Sequence, residues 1–463
     1  MDRREFLRRT GQGAALAGAG MAGAQVAKAR TPVTPCDLRA PKTGRVLDEG
    51  EVIGIGMIGV GGMGTGHLRE LLGREKDGRK IQVRAVSDVY ERRKKRAQAI
   101  AKEIVGRDID AYTDYLDLIA RDDIHAVVIA TPDHWHAANS IHALEAGLDV
   151  YCQKPVTLTI EESLDVRDKV YETGRVFQCG AQRCSEDWWW QARKLIKEGG
   201  IGKVLWAQAD YSRNSADGPD ERGGEWNWPI DADATDDPAG GDGYVDWARW
   251  LGPARKRPFS KPRFFQFRKF WDYSGGIATD LLYHVLAPMT IALDAKAPEK
   301  ATAAGGIYVQ HDDREVPDTY MSMLDYPDDY TVVLTSSMAN RQALPTVIRG
   351  HRATIRPEND GIKVTAENEF KEWFSKRYGA EEIFIPGEPR AGHVDNWLEC
   401  IRTRKTPHLD ADTAYRAMAG IKMGVDAYRQ QKAVFWDCER ERYVRKHPRP
   451  HRASFLPAED KQA

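Results

Sequence analysis

The stretch Val52–Gly64, VIGIGMIGVGGMG, decides the fold. Val52, Ile53, Ile55 and Ile58 read as a buried strand, and Leu68, Leu71 and Leu72 follow at helical spacing, so the glycines between them sit at a strand-to-helix turn. Gly59, Gly61 and Gly64 fit G-x-G-x-x-G, with Gly62 and Met63 inside the motif. Gly59 permits the tight turn, Gly61 lets backbone approach a pyrophosphate, and Gly64 lets the helix lie close to its strand. The free N–H groups of the helix start then face the phosphates. A glycine turn used only for packing is the competing reading. Asp88 decides against it, because it ends a second apolar stretch, Ile81 to Val86, where a carboxylate meets ribose hydroxyls. The expected ligand is NAD, with NADP disfavoured by the same carboxylate.

A chain of 463 residues is too long for one typical core, so two domains are expected. A net charge of −1 gives no electrostatic case for nucleic acid or a membrane surface. The basic clusters Arg92–Arg96 and Arg440–Arg452 read as solvated faces or tails. The six cysteines show no C-x-x-C and no ligand spacing, so neither a metal site nor a disulfide scaffold is indicated.

Residues 1–29 have the form of a targeting segment, with Arg3 and Arg4 before Phe6 and Leu7, a glycine- and alanine-rich stretch, and Ala27-Lys28-Ala29 as a cleavage site. The pair resembles the twin-arginine export signal, although Asp2 stands where Ser or Thr is usual. That resemblance implies export of a folded protein with cofactor already bound, and a periplasmic or secreted location. The segment is too short and too mildly apolar to span a bilayer.

Residues 30–50 read as a linker and 51–182 as a doubly wound α/β domain. Its later strands are HAVVIA (125–130), LDVYC (148–152) and VFQC (176–179), short and apolar as parallel strands covered on both faces should be. Special residues follow each: Thr131 and Pro132, then Gln153-Lys154-Pro155, then Gln182 and Arg183. In such a sheet these carboxyl ends share the ligand-binding edge.

GVGGMG, Asp88, ATPDHWH (130–136), YCQKP (151–155), GAQRCS (180–185) and GGIATDLLYH (275–284) together resemble the Gfo/Idh/MocA family, the glucose-fructose oxidoreductase and inositol dehydrogenase group. The resemblance covers about 51–437. One departure is visible: the family's Glu-Lys-Pro is Gln153-Lys154-Pro155 here. The resemblance implies that Lys154 contacts nicotinamide and the substrate hydroxyl and that its bond to Pro155 is cis. It also implies that His284 acts beside it, and that a large, mostly antiparallel open sheet in 183–437 is buried by another subunit.

Asp280 and His284, four residues apart on an apolar helix, share one face. An imidazole suits movement of a hydroxyl proton, and a carboxylate can orient it or bind a diol. Lys154, Asp280 and His284 are therefore the expected catalytic set. Gly59, Gly61, Gly62, Met63, Gly64, Asp88, Thr131, Pro132, His136, Lys154 and Gln182 are the expected cofactor contacts. Lys154, Arg183, Tyr283 and His284 are the expected substrate contacts. His134 and His136 lack the carboxylate or cysteine partners that a metal site needs. His393 and Asn396 are placed either at the pocket border or in the core.

In the second domain, strands are expected at 203–211, 301–309, 319–326, 330–338 and 346–355, and a helix at 186–197. The polar loop 212–243 carries Trp226 and Trp228, which either stack on a sugar or anchor the loop. Trp247 and Trp250 read as structural, and 438–463 as a basic tail. The expected activity is that of an exported NAD-dependent oxidoreductase acting on a sugar, polyol or glycoside, working as a homo-oligomer with tightly held cofactor. The alternative is an NAD-dependent glycosidase that oxidises, eliminates and re-reduces; a non-catalytic carbohydrate-binding protein would have no need of a proton relay.

Overall fold

The computed structural model describes residues 47–48, 50–214 and 226–449; the expected signal segment 1–29, most of the linker and the end of the expected tail lie outside them. Six parallel strands form the first sheet: β1 (Ile53–Ile58), β2 (Ile81–Ser87), β3 (Asp110–Tyr112), β4 (Ala126–Ile129), β5 (Asp149–Gln153) and β6 (Phe177–Gly180), in the order β3-β2-β1-β4-β5-β6. Every residue of β1, β4, β5 and β6 is buried. Helices on both faces account for the uninterrupted apolar runs.

This first layer is not continuous in sequence. Helix His393–Thr403 places Val394, Trp397, Leu398 and Ile401 in the same apolar cluster as Ile53, Ile55 and Leu68. A buried ion pair of Arg404 with Asp149, at 2.7 and 2.9 Å, fixes the end of that helix to β5. His393 and Asn396 fall inside this packing, each 8% exposed or less. His393 bonds to the Cys179 carbonyl and the Ser185 hydroxyl. Asn396 accepts the His408 N–H.

The second sheet has ten strands: β7 (Val204–Asp210), β8 (Lys300–Gly306), β9 (Thr319–Tyr326), β10 (Tyr330–Ser337), β11 (Val347–Gly350), β12 (Ala353–Glu358), β13 (Gly361–Ala366), β14 (Glu382–Pro386), β15 (Val434–Asp437) and β16 (Arg442–Val444). They run in the order β14-β13-β12-β11-β7-β10-β9-β8-β15-β16. All neighbours are antiparallel except β7 and β10. Helix Ala411–Gln430 packs on β8, helix Tyr283–Leu293 and helix Ile160–Thr173, and so joins the two layers.

Two expectations need correction. The run 346–355 is two strands, because the backbone donors of His351 and Arg352 turn away to the carbonyls of Lys203 and Ile201. The segment after residue 437 is not a tail as far as Arg449. It carries β16, in which Tyr443 donates to Asp426 at 2.6 Å; on either side of the strand Glu441 pairs with the buried Arg167 at 2.5 Å and Arg449 reaches Glu299 at 2.7 Å. No helix among the described residues is long and apolar enough to cross a membrane.

Candidate active site

A cavity of about 1730 Å³ runs along the carboxyl edge of the first sheet, from Gly59, Gly61 and Gly62 past Asp88, Thr131 and Pro132 to Lys154, Trp228 and Arg268. Gly59 sits at φ +85°, which L side chains rarely adopt, and a Cβ on Gly64 would lie 2.1 Å from the Gly59 carbonyl oxygen. These two positions demand glycine for the turn and for close packing. At Gly62 a Cβ would meet nothing within 4 Å, and at Gly61 only the Arg93 guanidinium at 3.5 Å. Open space thus lies against the N-terminus of helix Gly62–Lys76, whose first turn carries no acidic side chain. Space, free N–H groups and dipole all fit a pyrophosphate, and Met63 lies at the rim, 52% exposed.

Asp88 follows β2 and is buried, with one oxygen accepting the Val60 N–H at 2.9 Å and the other the Tyr90 N–H at 3.0 Å. Its carboxylate is fixed where the glycine turn meets the ribose position.

Not every expected cofactor contact reaches the cavity. His136 is 1% exposed, and its ring nitrogens lie 2.9 Å from the Thr131 carbonyl oxygen and 2.6 Å from that of Pro155. It ties the loop after β4 to the loop after β5, and burial lowers its pKa. His134 is likewise buried, against the Trp250 carbonyl at 2.9 Å. Gln182 is exposed and outside the cavity lining.

The reactive end is built by three elements. Lys154 follows β5, with a cis bond to Pro155. Its ammonium donates to the Asp280 carboxylate at 2.6 Å and to the Asp280 main-chain carbonyl at 2.7 Å. Asp280 lies on a single π-helical turn, Ala278–Leu282, that leads into helix Tyr283–Leu293. Such turns are frequent at functional sites, and here the Asp280 carbonyl accepts from Lys154. Arg268 donates to the same carboxylate oxygen at 2.9 Å, and the Trp226 indole to the other at 3.1 Å. Burial would raise the Asp280 pKa; the Arg268 and Lys154 cations hold it well below the carboxylate range instead.

His284 stacks edge-on against Tyr211, ring centroids 5.7 Å apart. Burial first, and the Lys154 ammonium second, lower its pKa to about 3. It is a neutral imidazole, and Arg183 and Arg213 add to the positive surroundings that keep it so. Arg183 is half-buried and paired with Glu186 at 3.3 Å. Tyr283 is turned away: it is 0% exposed and donates to the Ala414 carbonyl at 3.0 Å. The structure therefore brings Lys154, Asp280 and His284 together and leaves Tyr283 and His136 in the packing.

One partner of this centre, Arg268, has no signal in the sequence; Trp226 takes the anchoring role, the second of the two expected for it, with its indole on Asp280. Trp226 is 2% exposed, whereas Trp228 is 48% exposed and lines the cavity. Trp247 and Trp250 stack at 4.7 Å within an apolar cluster. Gln153, in place of the family's Glu, bonds to His67 and accepts the Lys154 N–H at 3.2 Å. Among the described residues no group of three or more His, Cys, Asp or Glu side chains could hold a metal ion.

Comparison with known proteins agrees with this geometry. Residues 53–181 match the model of an oxidoreductase family with an NAD-binding Rossmann fold, and residues 225–451 that of the same family's C-terminal alpha/beta domain. Inositol 2-dehydrogenase 1 of Saccharopolyspora erythraea is 34% identical over 149 residues, 32% of this chain and 42% of the relative. A glycosyl hydrolase family 109 protein of a Shewanella species is 28% identical over 226 residues, 46% of each. The chain thus spans less than half the length of these curated relatives. Levoglucosan dehydrogenase, solved with NADH, shares the fold at a TM-score of 0.58 and 18% identity, over 83% of this chain and 99% of that one. With its two halves matched by the two models of one family and its glycine turn, Asp88 and Lys154 set on one cavity, the chain belongs to the Gfo/Idh/MocA family of NAD-binding oxidoreductases.

Proposed function

We propose that this protein moves hydride to or from a secondary alcohol carbon of a sugar, polyol or glycoside. The observation that carries this reading is the Lys154 ammonium on the cavity wall, committed twice to Asp280. An ammonium has three N–H donors, so one remains to meet a substrate oxygen. Bound nicotinamide supplies the two-electron chemistry, accepting or returning hydride at C4. As the alcohol carbon loses hydride, its oxygen loses a proton and a ketone forms. Lys154 stabilises the charge that develops on that oxygen. His284, held neutral, takes the hydroxyl proton as general base and releases it to bulk water; in the reverse direction it returns the proton to the oxygen. Asp280 positions Lys154.

A second reading keeps the same site but ends in hydrolysis, with transient oxidation, elimination of an aglycone and re-reduction. Similarity to a glycosyl hydrolase family 109 protein supports it. Under either reading we place the protein outside the cytoplasm, exported through the twin-arginine segment, as a homo-oligomer. The open face of the second sheet supports the oligomer, since Met321, Met323 and Phe384 are each 48% exposed or more there and a flat apolar sheet face is a liability in a monomer.

The test is a panel of sugars, polyols and glycosides, followed by nicotinamide absorbance and by released aglycone. A change in either with wild-type protein, lost in Lys154→Met, is expected. No response from any member of the panel would sink the proposal.

A further inference from the structure

Three arginines, Arg92, Arg93 and Arg96, stand beside the ribose-binding carboxylate Asp88 and line the same cavity. An arginine at this place accommodates the 2′-phosphate of NADP, so the disposition of each bears on which dinucleotide the cavity takes. Arg96 is spent on the glycine turn, donating to the Val60 carbonyl at 2.7 Å and the Thr65 hydroxyl at 2.9 Å. Arg93 lies over the Phe264 ring at 4.8 Å, its guanidinium 4.0 Å from Asp88. Arg92 is held by the second domain. Its guanidinium donates to the Asp231 carboxylate and, at 3.2 Å, to that of Asp233.

Asp231 is coupled to the ribose position as well as to Arg92. The oxygen that takes Arg92 also accepts the Tyr90 hydroxyl at 2.5 Å, and the Tyr90 N–H is the donor that fixes Asp88 at 3.0 Å. The chain Asp88–Tyr90–Asp231–Arg92 thus spans both domains. A strand bridge between Tyr90 and Val245 and main-chain bonds from Glu91 to Tyr244 and from Asp246 to Val89 join residues 89–91 to residues 244–246 of the second domain as well.

We propose that Asp231 is a determinant of dinucleotide specificity: it withholds Arg92 from a 2′-phosphate, so that the second domain enforces NAD over NADP. The proposal rests on the cavity being the dinucleotide site. Removing the two carboxylates frees a guanidinium that pairs well with phosphate.

The experiment is competitive loading. The full chain is unfolded, freed of nucleotide, refolded with equimolar NAD and NADP, freed of unbound nucleotide and denatured again, and the released dinucleotides are quantified by mass spectrometry. Wild type should carry NAD. Asp231→Ala/Asp233→Ala should raise the NADP to NAD ratio on the order of ten-fold, the size expected for one hydrogen bond to a charged group. Adding Arg92→Ala should abolish the gain. Asp231→Asn, which keeps the Tyr90 hydrogen bond and so protects the fold, should shift the ratio the same way by less, and it decides the matter if the double variant does not fold. NAD loading with a ratio unmoved by these variants would overturn the proposal. Wild type that retains neither dinucleotide would overturn the reading of the cavity, and the proposal with it.

Discussion

The Lys154 ammonium is fastened twice to Asp280, through the carboxylate at 2.6 Å and the main-chain carbonyl at 2.7 Å. Because Arg268 shares that carboxylate, Asp280 is bonded to two cations at the end of the cavity. Asp280→Asn should therefore cost about 3–5 kcal/mol, the usual consequence of leaving buried charge uncompensated. The sign with pH follows from the depressed pKa: the stability that Asp280 contributes is fully present above the unfolded value near 3.8 and is lost as pH falls through the lower folded value. Denaturant unfolding at neutral pH and below pH 3 checks both, and a variant as stable as wild type at pH 7 would contradict the assignment.

Lys154→Met removes the one donor left for substrate oxygen while keeping the length of the side chain. The fold and most dinucleotide affinity should survive, and turnover should fall roughly 10²- to 10³-fold, the range for losing one donor to a developing oxyanion. Single-turnover kinetics beside a binding titration separate the two effects. Turnover at the parent rate would show that the chemistry lies elsewhere.

The first sheet was legible because parallel strands covered on both faces must be short apolar runs, and the residues closing them, Asp88, Thr131 and Lys154, all lie on the cavity. In the second sheet, alternation located β9 and β10 to within a residue or so. Expected strands did not include β13 to β16, which are short and edge-ward, nor could a sequence reveal that Trp397 packs in the core of the first sheet. The expected face-sharing of Asp280 and His284 assumed an ordinary helix. The π-turn at 278–282 and the arrival of Arg268 and Trp226 from a separate segment are tertiary facts with no local pattern.

His284 offers a pH test. Its folded pKa, about 3, lies below the ordinary 6.5, so the unfolded chain binds a proton there that the native protein does not. Its contribution to stability is present above pH 6.5 and declines as pH falls towards 3. His284→Gln should flatten the pH dependence of stability across that window. Unfolding midpoints at pH 7, 5 and 4 measure it; an unchanged slope would mean that the imidazole titrates normally.

Export should depend on Arg3 and Arg4. Replacing both with Lys keeps the charge but removes the paired guanidinium groups, and should hold the protein in the cytoplasm if the twin-arginine pathway carries it. Cell fractionation is the readout. Undiminished periplasmic protein from the variant, or from a strain lacking that pathway, would rule the signal out.

The final prediction separates a dehydrogenase from a redox-cycling glycosidase. Outside the cytoplasm there is no ready pool of free NAD, so an exported enzyme with a dissociable cofactor would stall after one turnover. A dinucleotide loaded during folding and regenerated within each cycle escapes that limit. The cavity favours retention, because its walls come from both domains: Tyr90 and Trp135 on one side, Trp250, Phe264 and Phe265 on the other, with the Trp135 indole donating to the Trp250 carbonyl at 2.8 Å across the seam. Bound dinucleotide should therefore survive extensive dialysis and appear by mass spectrometry after denaturation. Turnover then needs a second substrate that reoxidises nicotinamide, or oxidation, elimination and reduction on one glycoside. Aglycone released with no lasting change in nicotinamide absorbance would select the glycosidase. A dinucleotide lost on dialysis, with NAD rebinding only weakly, would count against both.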